Sequence, residues 1–243
     1  MDNWLDRSRL LIKDDGLEKL GNAGVLVVGL GGVGGFAAEF LARAGVGRMT
    51  IVDGDCVGIT NINRQIAALN STVGMPKADV MAARIKDINP VIDLRTDRRF
   101  LCPEDVRDVV FSDDYDYVVD CIDSISPKLA LIYSCLEKGV PLVSAMGAGG
   151  RMDPSAVRVA DISKSKNCPL ARNIRKRIKT ETGRHARGFD VVYSEELADE
   201  SSMEITEGEQ FKRSYYGTVS YMPAVFGLYA ASHVIRELTG KGK

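Results

Sequence analysis

Residues Gly24-Val-Leu-Val-Val-Gly-Leu-Gly-Gly-Val-Gly34 decide how the chain folds. Val25 to Val28 form a β-rich run that enters a glycine cluster, and Phe36 to Ala44 leave it in a small-residue helical pattern. Strand, tight turn and helix N-terminus together make a site for a nucleotide's negative charge, because the first turn of a helix carries unpaired N–H donors. A side chain at Gly29, Gly31 or Gly34 would hold phosphate oxygens away from that backbone. NAD, FAD and ATP sites all use versions of this turn, which here also includes Gly32. Residues further along have to choose among them.

Met49 to Val52 read as a second short strand ending in Asp53, an acid about 20 positions after the glycines and placed for ribose hydroxyls. A dehydrogenase would look the same up to this point. Asp53-Gly-Asp55 then leads into Asn61-Ile-Asn-Arg64-Gln65 and Gly74-Met-Pro-Lys77-Ala78. Pro76 suits the first residue of a helix running to about Ile88, which Asn89-Pro90 ends. Arg64 and Lys77 therefore fall in loops or helix starts near the turn. A triphosphate carries about four charges and needs such flanking cations, whereas a nicotinamide enzyme does not. Either residue alone fits a solvated surface charge; the pair at this spacing favours ATP.

Strands are expected over about Ile92 to Thr96, Tyr117 to Val119, Val140 to Ser144 and Ala156 to Asp161, with helices over Pro103 to Val109 and around Pro127 to Glu137. This alternation predicts an α/β fold, a Rossmann-like and mostly parallel sheet with flanking helices. Asp123 ends the strand at Asp120-Cys-Ile-Asp-Ser124 and suits either Mg²⁺ bridging phosphates or the N-cap of the next helix. Met146-Gly-Ala-Gly-Gly150 reads as a flexible turn.

The second half differs in charge. From Lys164 to Arg187 the chain has Lys164, Lys166, Arg172, Arg175, Lys176, Arg177, Lys179, Arg184 and Arg187 against the single acid Glu181. Leu170, Ile174 and Ile178 give Leu170 to Thr180 a helical apolar stripe, leaving Arg172, Arg175, Lys176, Arg177 and Lys179 for a basic face. Such a face is either merely solvated or a platform for a polyanion, and the imbalance favours phosphate backbone. Leu197 to Gln210 is acidic and reads as a mobile loop. Gly217 to Tyr221 reads as a strand and Pro223 to Leu238 as a helix packed back on the sheet through Phe226, Tyr229 and Val234. Segments 1–22 (helical), 24–161 (nucleotide-binding core), 162–212 (basic helix and acidic loop) and 213–243 (C-terminal strand and helix) form a single expected domain.

Composition limits the function classes. The 243 residues are 45% hydrophobic and 27% charged with a formal net charge of −1, so no whole-molecule field draws the chain to nucleic acid or membrane. Cys56, Cys102, Cys121, Cys135 and Cys168 are scattered, with no Cys-x-x-Cys pair, which argues for a reducing cytoplasm and against a structural zinc. The apolar C-terminal stretch carries His233, Arg236 and Glu237, as a core helix would and a membrane span would not.

The combination Gly29-x-Gly-Gly-x-Gly34, Asp53-x-Asp55, Asn61-x-x-Arg64-Gln65, Lys77 and Asp123-Ser124 resembles the ThiF/MoeB superfamily, bacterial relatives of ubiquitin-activating enzymes. Asn61-Ile-Asn-Arg-Gln65, Asp120-Cys-Ile-Asp-Ser124, Gly147-Ala-Gly-Gly150 and Gly217-Thr-Val-Ser-Tyr-Met-Pro223 make it most similar to the tRNA threonylcarbamoyladenosine dehydratase branch. The resemblance implies a homodimer that binds ATP and Mg²⁺ and adenylates a carboxylate, in this branch the threonylcarbamoyl group of a tRNA adenosine beside the anticodon. It assigns Asp53 to the ribose, Asn61, Arg64 and Lys77 to the phosphates, Asp123 to the metal, and Arg7 to the partner subunit's ATP. It also leaves room for a sulfur-transfer or cysteine-desulfurase partner. The alternative in the superfamily is adenylation of a sulfur-carrier protein's C-terminus, as MoeB and ThiF members do. Those members typically carry two Cys-x-x-Cys pairs, absent here, and only Cys168 speaks for that chemistry.

Overall fold

The computed structural model describes residues 3–205 and 214–241. Seven strands form one sheet in the order β3-β2-β1-β4-β5-β7-β6. They are β1 (Gly24–Val28), β2 (Arg48–Val52), β3 (Asp93–Asp97), β4 (Tyr117–Asp120), β5 (Leu142–Ala145), β6 (Val157–Asp161) and β7 (Asp190–Ser194). All neighbours run parallel except β6, which pairs antiparallel with β7 at the sheet edge. The four residues or more of β1, β4 and β5 are buried throughout, as strands covered on both faces must be.

Alternation along those strands sorts the core into two layers. Val25, Val27, Met49, Ile51 and Val119 face α2 (Gly34–Arg43), α3 (Lys77–Ile88) and α7 (Tyr221–Leu238). Leu26, Val28, Val52 and Val118 face α4 (Pro103–Phe111), α5 (Ile125–Lys138) and α6 (Pro169–Thr182). Proline opens α4 and α6 where its missing N–H costs nothing, and Gly139 and Gly183 close α5 and α6 in the left-handed conformation. Phe226 and Val234 fix α7 to the first layer as expected, with Tyr229 half-buried beside them. The N-terminal helix α1 (Asp6–Asn22) is broken at Lys13, where φ is 65°.

Several expected elements change. Pro76 caps α3 from outside, so Lys77 is its first residue. Asp190–Ser194, which carries no turn or alternation signal strong enough to mark it, inserts as β7 between β5 and the edge strand. The stretch read as a mobile acidic loop holds a short helical turn at Glu200–Ser202 and β8 (Met203–Ile205); its residues 206–210 lie outside the described ones. The C-terminal strand is Ser214–Tyr216, β9, paired antiparallel with β8; residues 217–220 are irregular and Tyr221 already starts α7. Beyond Tyr216 the Gly217 N–H still reaches Ser202 O, but the Gly217 carbonyl accepts the Gly150 N–H and the chain leaves β9.

Candidate active site

The glycine turn connects the C-terminal end of β1 to α2, at the sheet edge where ligands of open α/β folds bind. Its glycines answer to different constraints. Gly29 has φ +87°, and a Cβ there would lie 2.8 Å from Cys121 O; at Gly34 a Cβ would lie 1.7 Å from Gly29 O. Both are required by backbone packing before any ligand arrives. Gly32 packs on Pro223. Gly31 alone leaves room, its nearest neighbour being Gln65 Nε2 at 3.7 Å from a Cβ position, and so it forms the open cradle.

A chain of contacts leads outward from the turn. Asp53 Oδ2 accepts the Leu30 N–H at 2.6 Å, and Oδ1 accepts the Asp55 N–H at 2.8 Å. Asp53 thus closes the turn. Burial pushes its pKa up, and the nearby Lys77 charge and the two backbone N–H groups counter part of that. Lys77 Nζ donates to Asp55 Oδ2 at 2.8 Å, with the lysine side chain 7% exposed and Asp55 mostly exposed. A buried ammonium needs such a partner, since an unpaired charge out of water is costly.

Asn61 Oδ1 accepts the Gly58 N–H at 3.0 Å, fixing the helical turn Ile59–Asn61 and leaving its amide nitrogen as donor. Arg64 donates to Thr60 O at 2.9 Å and Asn63 Oδ1 at 2.8 Å, while its own carbonyl lies against Gly32. Gln65 was not assigned a role by sequence reasoning, yet it is buried against the cradle with its Oε1 unpartnered. The signal was present, a polar residue closing the Asn61-to-Gln65 motif.

Asp123 follows β4, and the backbone of Cys121 and Ile122 between them lies where a Cβ on Gly29 would fall, so the topology brings Asp123 to the turn. The cap alternative is not realised: Ser124 holds the N-cap position of α5, and Ser124 Oγ donates to Asp123 Oδ1 at 3.3 Å. No group of three or more His, Cys, Asp or Glu able to hold a metal occurs among the described residues. Beneath this turn lies a buried polar cluster the sequence reading missed. Asp120 Oδ2 accepts from Lys128 Nζ at 2.7 Å and Ser144 Oγ at 2.6 Å, Oδ1 accepts the Ile122 N–H at 3.0 Å, and both charged side chains are fully buried. A lysine inside the apolar run of α5 was the clue, since a buried charge needs a partner.

The remaining candidates stand apart. Arg7 is exposed on α1, whose Leu5 neighbour packs on Gly45 at the opposite sheet edge, so it is not brought to its own chain's turn. On α6, Arg172, Lys176, Arg177 and Lys179 are exposed, but Arg175 donates to Ile162 O and Ser165 Oγ, and Arg177 pairs with Glu181 at 2.6 Å. Cys168 is 2% exposed in the second core layer. For Cys121, burial pushes the thiol up to about 12. Neither sulfur is presented as a nucleophile.

Comparison with known proteins agrees with this fold. The ThiF family model matches residues 5–243. A Bacillus subtilis tRNA threonylcarbamoyladenosine dehydratase is 41% identical over 96% of this chain and 93% of its own length. The crystal structure of the Escherichia coli dehydratase TcdA in complex with ATP superimposes with a TM-score of 0.88 at 38% identity, covering 99% of this chain and 97% of that one. A Haemophilus influenzae molybdopterin-synthase adenylyltransferase is 35% identical but over only 67% of this chain and 64% of its own. The chain belongs to the ThiF family and, within it, to the branch of the tRNA threonylcarbamoyladenosine dehydratases.

Proposed function

We propose that the chain is an ATP-dependent tRNA threonylcarbamoyladenosine dehydratase that acts as one adenylation unit per subunit. The observation that carries this reading is Lys77, a buried ammonium paired with Asp55, whose own N–H is held by the Asp53 carboxylate that also accepts the Leu30 N–H of the glycine turn. In this reading Asp53 takes the ribose, and Lys77, Arg64 and the Asn61 amide take the phosphates. Asp123, a carboxylate at the turn with no cluster of metal-ligating side chains around it among the described residues, would hold Mg²⁺ together with the ATP phosphates. Such an ion would offset charge on the phosphates.

The substrate carboxylate attacks the α-phosphorus and pyrophosphate leaves. A nucleophilic atom of the same side chain then attacks the activated carbonyl, the ring closes and AMP departs with the former carboxylate oxygen. The chain's residues bind and orient; ring closure itself is helped by effective molarities that reach ~10⁵ M or more. No enzyme sulfur is needed, in keeping with the burial of Cys168. That burial also weighs against the sulfur-carrier alternative, as does the partial coverage of the molybdopterin relative.

The substrate tRNA would lie along α6, and a second copy of the chain would bring its Arg7 to the ATP. Arg7 has neither hydrogen bond nor ion pair among the described residues, as a residue working on another subunit would not. Mixing Arg7→Ala with Lys77→Ala subunits should restore activity that each lacks alone; two inactive variants that stay inactive when mixed would exclude the arrangement. A cytoplasmic location suits tRNA as substrate, and no helix of the described residues is long and apolar enough to cross a membrane. A sulfur-transfer partner remains part of the proposal only as a docking protein, with no sulfur bound by this chain.

The test of the function is incubation with ATP and tRNA carrying the uncyclised modification, followed by nucleoside mass analysis. Loss of one water mass with stoichiometric AMP supports the dehydratase. AMP formation that depends instead on a small carrier protein would overturn it.

A further inference from the structure

On the α5/α6 face a cavity of about 680 Å³ opens between the second half of α5, the end of α6 and the loop leading to β7. Tyr133, Leu136, Ile178 and Phe189 give it apolar walls, and Arg184, His185 and Arg187 stand on its rim. Leu136 is 45% exposed there. β7 begins with Asp190 at the edge opposite the glycine turn, so the cavity sits at the far end of α6 from the proposed ATP site. The 14 residues of α6 make the helix about 21 Å long.

The loop is held at both ends. Gly188 donates its N–H to Asp161 Oδ2 at 2.7 Å, Ile162 N–H reaches Phe189 O at 3.0 Å, and Thr182 Oγ1 accepts the Arg184 N–H at 3.2 Å. The side chains on its rim are nevertheless unengaged. Among the described lysines and arginines, those whose side chains make neither a hydrogen bond nor an ion pair are Arg7, Lys164, Arg172, Lys176, Lys179, Arg184 and Arg187. All but Arg7 lie on or beside α6. Glu181, the one acid of the stretch, is already occupied by Arg177 and by the Tyr133 hydroxyl at 2.8 Å.

A line of unmatched cations that ends in an apolar, aromatic-walled hollow has the chemistry of a single-stranded or looped nucleotide site. Guanidinium groups take the phosphate and a base stacks on the wall, with little dependence on sequence. We propose that this cavity is a second docking point for tRNA, receiving a nucleotide of the tRNA body while the anticodon loop occupies the site at the glycine turn. The inference rests on tRNA being the substrate. It adds that recognition extends well beyond the loop that carries the modified adenosine.

The experiment compares full-length tRNA with the isolated anticodon stem-loop, both carrying the uncyclised modification, on wild-type protein and on Arg184→Glu/Arg187→Glu. The double variant should bind full-length tRNA about tenfold more weakly, with a salt slope reduced by about two, and should bind the stem-loop and ATP as wild type does. Arg184→Gln/Arg187→Gln, which keeps the loop neutral, should show a smaller loss in the same direction and serves if the charge reversal unfolds the loop. Equal losses on both RNAs would place the contact at the anticodon end and overturn the proposal. Unchanged affinity for both, as for a surface reserved for a protein partner, would overturn it too. Wild-type protein that binds neither RNA would instead overturn the substrate assignment, and the cavity proposal with it.

Discussion

The cations beside the glycine turn and those along α6 are built in opposite ways. Arg64 is tied to Thr60 and Asn63, and Lys77 to Asp55, so both are positioned within the chain itself. Arg172, Lys176 and Lys179 project from α6 with no partner among the described residues. Chemistry on a single phosphorus needs charges fixed in advance, because mobile groups would have to reorganise at the moment of reaction. A nucleic-acid backbone repeats its charge and can be met by free side chains that release counterions. The fully buried Lys128 is a third case, a cation that meets no ligand and holds the Asp120 turn.

Breaking the most deeply tethered cation should have the largest effect. Lys128→Ala leaves the Asp120 carboxylate buried without its partner and should cost about 3–5 kcal/mol of stability, read from denaturant melts. Lys128→Met with Asp120→Asn should recover much of that. A loss below about 1 kcal/mol in the single variant would mean that water replaces the ammonium and that the cluster is not dry.

Lys77→Ala should leave the melt nearly unchanged and lower turnover by about 10²–10³-fold, the range seen when one preorganised charge-stabilising group is removed. Full-length tRNA affinity should stay at the wild-type level. Arg172→Glu/Lys176→Glu/Lys179→Glu should do the reverse, weakening tRNA binding by about tenfold or more at low salt and lowering the salt slope by about one per lost contact. ATP affinity should not change in the triple variant. If both sets of variants lost ATP and tRNA together, the two regions would be one site and the contrast between them would fail.

This division was partly legible in the residue string. The glycine turn, Asp53, Arg64, Lys77 and Asp123 stand out in the sequence because a nucleotide site would demand particular residue types at short spacing, and the fold brings Asp53, Lys77 and the turn together. The basic imbalance of 164–187 was visible too, though Arg175 and Arg177 proved to be engaged within the chain. What the sequence hid depends on distant pairings. Asp120 meets Ser144 across two strands, and Arg151 donates to Gly147 O, Gly149 O, Glu196 O and Asn167 O, joining segments far apart in the chain. β7 escaped for the same reason: Asp190–Ser194 is defined by the neighbours it pairs with rather than by its own boundaries.

Glu39 offers the mildest test of what tethering contributes. It lies on α2, just after the glycine turn, and its buried carboxylate is shared by Arg43 of the same helix and Arg84 of α3, the helix that Lys77 begins. Burial by itself would raise the Glu39 pKa; hydrogen bonds from Arg84 and then Arg43, with their charges, more than offset it and leave it below the ordinary value of 4.5. Because the folded value is depressed, the contribution is present above the unfolded value and is lost as pH falls through the folded one. Glu39→Gln should therefore lower Tm at neutral pH, and the gap to wild type should close as the solution is acidified below the ordinary glutamate range. Freed from the carboxylate, Arg43 and Arg84 become cations of the α6 kind, yet ATP turnover should fall only modestly, since Lys77 keeps Asp55. A gap that stays constant down to acid pH would show that Glu39 acts through packing, and that the α2–α3 contact does not depend on its charge.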